Sequence, residues 1–286
     1  MVDVTVSLIG ANGDEINLGE TSDYVARTGL LGLGIPPTNV RIDESAADGG
    51  VWRNTRRGIR NVDIPLTILG TSREDVESKL RRLARLVQDT KGPVTIRANY
   101  ANGEDWDLEA HYVGGAESQY GSDGNELWVN WVLSFQAPTP YWVRTSSESY
   151  SLGSGATGRG LIPNLAELRV SSAQAIGTLI IENSGDVNAY PRWQFKGPMD
   201  TVTVTSDTGL SFSYNATIAL GTTITIDTVA GTVVDQSGVN KYANLGASPK
   251  LFPIAAGTSS LTVTATGATS DTLISMFYQP RKEVVH

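Results

Sequence analysis

The chain has 286 residues, 40% of them hydrophobic and 18% charged, which is enough apolar material for one large domain or two ordinary ones with real cores. A formal net charge of −8 argues against a protein that grips nucleic-acid phosphates, and zero cysteines exclude disulfides, thiolate metal sites and a thiol nucleophile. The sequence lacks the run of about 18 apolar residues that a membrane-spanning helix needs, and its alternating N-terminus reads as a strand rather than a secretory signal.

Residues 1–140 read as α+β. Val2, Val4, Val6 and Leu8 alternate with polar residues, the period of a half-buried strand. Val62, Ile64, Leu66 and Ile68 repeat that pattern, and Pro65 directs this strand to a sheet edge or a bulge. Thr71 and Glu74 have capping-box spacing, and Val76, Leu80, Leu83 and Val87 then recur at helical intervals. Asp75–Lys79 and Glu77–Arg81 are i,i+4 pairs in the favoured order, and Lys91-Gly92-Pro93 ends the helix. Arg81, Arg82 and Arg85 are expected to face outward or toward a partner. Val94–Tyr100 and Asp105–Val113 flank Asn102-Gly103, a hairpin signal because both turn residues tolerate positive φ. Leu127, Val129, Trp131, Leu133 and Phe135 form one face of a further strand.

Pro138-Thr139-Pro140-Tyr141-Trp142 reads as a stiff connector, and beyond it Ser, Thr and Gly rise while charge thins. Short strand-like runs follow at Thr178–Glu182, Trp193–Lys196, Thr201–Thr205, Leu210–Tyr214, Thr222–Asp227, Ser260–Thr266 and Thr272–Tyr278. Their regular spacing predicts a β-sandwich over residues 141–286. The fold class is therefore mainly β with one α-helix, an α+β domain preceding a sandwich.

Candidate chemistry is sparse. Gly153-Ser154-Gly155-Ala156-Thr157-Gly158 fits GxGxxG, but Pro163 and no amphipathic helix follow, so the stretch reads as a flexible loop. The histidines are His111, on a strand face, and the last residue, His286, which leaves no zinc set without three carboxylates. Asp105, Asp107 and Glu109 share one strand face and admit a glycosidase acid–base pair, but a solvated face opposite Trp106, Leu108 and Ala110 is the better explanation, because a half-buried strand requires that alternation. Asn102 and Asp123-Gly124 read as turn residues rather than calcium ligands. No G-x-S-x-G elbow is present, and the aromatics do not alternate with Lys and Arg as on a nucleic-acid platform. The expectation is no enzyme, no cofactor and no metal.

Three stretches resemble the distal tail protein family of siphophages. They are Arg60-Asn61-Val62-Asp63-Ile64-Pro65-Leu66-Thr67-Ile68-Leu69-Gly70 running into the capped helix, the 138–142 junction, and Asn183-Ser184-Gly185-Asp186 with Ala189-Tyr190-Pro191-Arg192-Trp193-Gln194-Phe195 and Gly197-Pro198. The resemblance runs along nearly the whole chain. It implies an N-terminal domain (1–140) of antiparallel sheet or split barrel plus helix, and a galectin-like β-sandwich (141–286). It further implies a homohexameric ring at the virion tail tip or baseplate, joining the tail tube protein to a hub or fibre protein. The resemblance also implies that DNA passes through the lumen without specific binding and that no membrane is involved, and an acidic chain suits such a pore. Two other readings stand beside it: a carbohydrate-binding module on a virion or cell surface, and a polysaccharide-degrading enzyme using Asp105 and Asp107.

Between Asn39 and Ile59 no period is sustained. The acidic first half, 43–50, precedes Trp52, Arg53, Arg56 and Arg57, and a loop this long is usually functional or disordered. Buried Trp and Arg dominate interface energetics, so these four residues are the candidate subunit interface. Head-to-tail packing would set one subunit's acidic segment against the next one's arginines. The plainer alternative is a mobile surface hairpin with a partly buried Trp.

Overall fold

A computed structural model describes residues 4–88, 90, 92–117, 127–153 and 174–285. The chain divides into two compact units, Met1–Thr145 with Lys282–His286, and Ser146–Arg281.

The first unit is built on β1 (Val4–Ile9), β2 (Glu15–Asn17), β3 (Tyr24–Ala26), β4 (Thr38–Glu44), β5 (Gly50–Arg57), β6 (Arg60–Leu69), α1 (Arg73–Leu86), β7 (Val94–Tyr100), β8 (Trp106–Gly114), β9 (Trp128–Ala137) and β10 (Trp142–Arg144). Most of these strands form one antiparallel sheet in the order β2-β1-β7-β8-β9-β6-β3, while β4 and β5 pair only with each other. Alternation works as the sequence suggests. Val62, Ile64, Leu66 and Ile68 are all buried, and Leu133 and Phe135 of β9 join them in one core with Val6, Leu8, Ile96 and Leu108.

Pro65 does not lie at an edge. Strand β6 sits between β9 and β3, and the Pro65 carbonyl accepts from the Arg27 N–H at 2.8 Å. A residue's N–H and C=O point to the same side of a strand. The missing donor of Pro65 therefore faces away from β9, so the β6–β9 ladder is intact and only the reciprocal bond to Arg27, just past the end of three-residue β3, is forgone.

The helix is capped one residue later than expected. Ser72 is the N-cap and accepts from Asp75 N, while the Asp75 carboxylate accepts from Thr71 N at 2.9 Å. Both i,i+4 pairs form, Lys79–Asp75 at 2.9 Å and Arg81–Glu77 at 2.7 Å. Arg82 reaches Asp14 at 2.6 Å, and this guanidinium holds the Asp14 carboxyl below the usual range despite some burial. In the β7–β8 connection only Gly103 takes positive φ, at 79°, and Asn102 instead accepts from Glu104 N at 3.0 Å as an Asx turn.

The junction also differs from expectation. Trp142 is fully buried in the first core, and Val143 and Arg144 pair with Asp107 and Trp106 of β8. A large aromatic buried this way commits its segment to the unit that buries it. Residues 141–145 thus belong to the first unit, as do Lys282–His286 at the other end of the second.

The second unit is a sandwich. One sheet orders β11 (Glu148–Gly153), β19 (Leu273–Tyr278), β13 (Arg192–Lys196), β16 (Thr223–Asp227) and β17 (Thr232–Asp235). The other orders β12 (Gln174–Asn183), β18 (Gly257–Thr266), β14 (Thr201–Ser206) and β15 (Ser211–Tyr214). Trp193 of β13 meets Phe212 of β15 edge-on at 6.0 Å, which ties the two sheets through the core. The Tyr278 hydroxyl donates to Glu182 O at 2.8 Å, and burial pushes its pKa up. Asn183 is buried, with its amide nitrogen within 3.0 to 3.3 Å of the carbonyls of Val187, Ile254 and Ala255. That side chain pins the turn into the sandwich. A two-residue strand, β20 (Arg281–Lys282), follows β19 and pairs with β10.

Candidate subunit interface

The catalytic candidates disperse into structural roles. Asp107 forms a bidentate pair with its cross-strand partner Arg97, at 2.7 and 2.9 Å, and the carboxylate hydrogen bond raises the Arg97 pKa. Asp105 lies just before β8, where its backbone carbonyl accepts from Thr145 N. Glu109 and His111 are exposed along the same strand. Among the described residues no group of three or more His, Asp or Glu is placed to hold a metal. Gly153 ends β11, while residues 154–158 of the Gly-rich stretch, Asp123-Gly124 and His286 lie outside the described residues. No helix among the described residues is long and apolar enough to cross a membrane. Trp193 is buried and unavailable as a sugar platform. Its neighbour Arg192 pairs with Asp227 at 2.9 Å, and burial of Asp227 is outweighed by the Ala230 and Val229 N–H groups and Arg192, which lower its pKa.

Residues 39–59 are no loop. Strands β4 and β5 make a two-stranded ribbon closed by Ser45 N donating to Gly49 O at 3.2 Å, with Gly49 at φ 98°. The register slips between Arg41 and Ile42, so Arg53 is an extra residue opposite β4. That bulge is why no period survives in the sequence: the alternation on β5 changes phase at Arg53.

Pairing Val40 with Thr55 and Ile42 with Trp52 puts Val40, Ile42, Trp52 and Thr55 on one face. The Trp52 indole N–H donates to Thr55 Oγ1 at 2.9 Å, as shared facing requires. Val40, Ile42 and Trp52 are 54%, 59% and 61% exposed. Asn39, Arg41, Asp43, Asn54 and Arg56 take the other face, with Val51 its one large apolar residue. The ribbon is amphipathic, and nothing described in the chain covers its apolar side.

The charges behave differently from the expected split between subunits. Arg53 pairs with Asp43 at 2.7 Å inside the ribbon, and Arg57 forms a bidentate pair with Glu283 at 2.7 and 2.9 Å. Of the three arginines, Arg56 is exposed without an ion-pair partner among the described residues. The sequence singles out Trp52 but not Val40 and Ile42, whose one-residue spacing was the available signal for a shared face.

Below the ribbon, Arg60 is buried to 1% exposure. Its guanidinium donates to Pro140 O at 2.8 Å, Gly34 O at 2.7 Å, Glu283 O at 2.6 Å and Gly32 O. Burial lowers its pKa to about 10, opposed by the charge of Glu283. Gly32 has φ 102°, and a Cβ there would sit 2.6 Å from Asn61 O, so only glycine fits this approach.

No family model and no curated protein matches the sequence. Solved structures do match the fold. The Dit protein of phage SPP1, described as a paradigm of the hub adsorption apparatus in phages infecting Gram-positive bacteria, aligns with TM-score 0.68 and 11% identity over 96% of this chain and 98% of its own. The chain has the fold of that Dit protein. The phage P2 baseplate in its activated conformation also matches at 11% identity, covering 99% of this chain and 100% of the other. The TM-score is 0.55 with calcium and 0.56 with strontium. The shared Dit fold takes in both units in order, so the sheet-plus-helix unit and the sandwich are parts of one architecture.

Proposed function

We propose that the chain is a structural component of a phage tail tip or baseplate, a distal tail protein. It forms a hexameric ring that joins the tail tube protein to a hub or fibre protein, lets DNA pass, and performs no catalysis. The observation that carries this reading is the Dit-like fold over 96% of the chain, spanning both units. The charge of −8 suits a pore that must not hold the duplex. In this reading the first unit, Met1–Thr145 with Lys282–His286, builds the ring.

The β4–β5 ribbon is the subunit contact in this reading. Trp52, Val40 and Ile42 face the neighbour, Arg56 lies on the opposite face, Arg53 is paired inside the ribbon and Arg57 at its base. Burying the exposed parts of Val40, Ile42 and Trp52 is worth on the order of 3–5 kcal/mol per contact, before the cost of association. Closed rings repeat such a contact around the symmetry axis.

Native mass measurement with negative-stain imaging of the purified protein tests the proposal. Six-membered rings with a central hole are expected. A protein that stays monomeric at every concentration reached contradicts the ring adaptor.

A further inference from the structure

Among the described residues, the ribbon's side-chain bonds to the rest of its unit lie at its base, where one short segment meets the end of β5 and, through Arg57, is tied to the start of β4. Glu283 takes Arg57 at the end of β5 through both carboxylate oxygens, and Arg57 also donates to Thr38 Oγ1 at the start of β4 at 2.6 Å. The Glu283 carbonyl accepts from Arg60, three residues beyond the ribbon, and the same guanidinium holds the carbonyls of Gly32 and Gly34 ahead of it. Two residues on, Val285 is fully buried and its N–H donates to Leu33 O at 3.0 Å. Lys282, at the start of the segment, lies over the Trp106 ring at 4.3 Å. Ribbon residues Thr38–Ile42 and Gly50–Arg53 are exposed throughout, so no packing along the ribbon's length fixes its direction.

We propose that Lys282–Val285 is a clasp that sets the direction of the β4–β5 ribbon, with Glu283 as its positioning residue. A two-stranded ribbon is marginal on its own, and its free end swings unless both strands are fixed at the root. The paired carboxylate and guanidinium are planar and bidentate, which fixes an orientation as well as a distance. The clasp acts on assembly only if the ribbon is the subunit contact proposed above, but its effect on ribbon direction is independent of assembly.

The absence of cysteine makes the test direct. Asp48→Cys at the ribbon tip and Ser78→Cys on α1 carry spin labels, and labelled chains are diluted into unlabelled ones so that the measured distance is intramolecular. A narrow tip-to-helix distribution is expected in the parent. It should broaden in Glu283→Gln and narrow again when Arg57→Glu is combined with Glu283→Arg. An unchanged distribution in Glu283→Gln, with or without assembly, overturns the clasp. A broadened distribution in a protein that never oligomerises keeps the clasp and removes only the ring reading.

Discussion

The β4–β5 ribbon and strand β13 of the sandwich are both short, antiparallel and centred on a tryptophan, yet they do opposite things with it. In β13, Trp193 and Phe195 turn inward and are fully buried, while Arg192 and Gln194 turn outward. In the ribbon, Trp52 and Ile42 share a face as Trp193 and Phe195 do, but that face meets no second sheet. Alternation specifies that a strand has an apolar side; it does not say whether the cover comes from the same chain. The sandwich covers its own tryptophan, and the described residues leave the ribbon's apolar face uncovered.

The sharpest way to break this comparison is to truncate both tryptophans. Trp193→Ala should cost about 3–5 kcal/mol and melt the second unit, whereas Trp52→Ala should leave stability within about 0.5 kcal/mol. Chemical denaturation followed by circular dichroism reads both. Comparable losses would mean that the ribbon packs within its own chain.

Arg60→Leu comes next. It strands four carbonyls in a buried site, and an unsatisfied buried acceptor costs on the order of 1–3 kcal/mol, so a loss of about 3 kcal/mol is expected for the first unit, measured by the same unfolding curves. A neutral outcome would show that water replaces the guanidinium there.

Replacing Asp105 and Asp107 together by alanine has a smaller effect, about 1 kcal/mol from the partly buried Arg97 pair. Assays against polysaccharides should detect no hydrolysis in the parent. Activity that disappears in the double variant would return the pair to catalysis.

The smallest effect is with pH. Asp14 is held below its usual pKa by Arg82, and Asp227 by backbone N–H groups and Arg192 against the effect of burial. Depressed carboxylates stabilise the fold above the ordinary carboxylate range, and that contribution disappears as pH falls through their lowered folded values. Thermal melting should therefore fall modestly in both units below about pH 4. Flat melting temperatures across that range would remove these pairs from the account.

Much of this contrast was legible in the sequence, but unevenly. Strand β7 was bounded correctly, as was the inward face of β6, because seven to ten alternating residues outweigh noise. Most sandwich strands stood out through the even spacing of short runs, although β11 and β17 did not. Strands β2, β3 and β10 have three residues each, too few for a period. The ribbon was hidden by its bulge at Arg53. Nothing local marked Arg60 or Glu283: their partners lie as far as 226 residues away, and a buried arginine satisfied by carbonyls has no sequence pattern. Trp142 looked like part of a linker because its flanking prolines carry the local signal, whereas its burial depends on distant strands.

The central claim is that the ribbon's apolar face is the subunit contact. Sedimentation velocity of Trp52→Ala combined with Ile42→Ser, alongside the parent at micromolar concentration, tests it most directly. The parent should sediment as a ring and the variant as a folded monomer with unchanged circular dichroism. A variant that still sediments with the parent would contradict the claim.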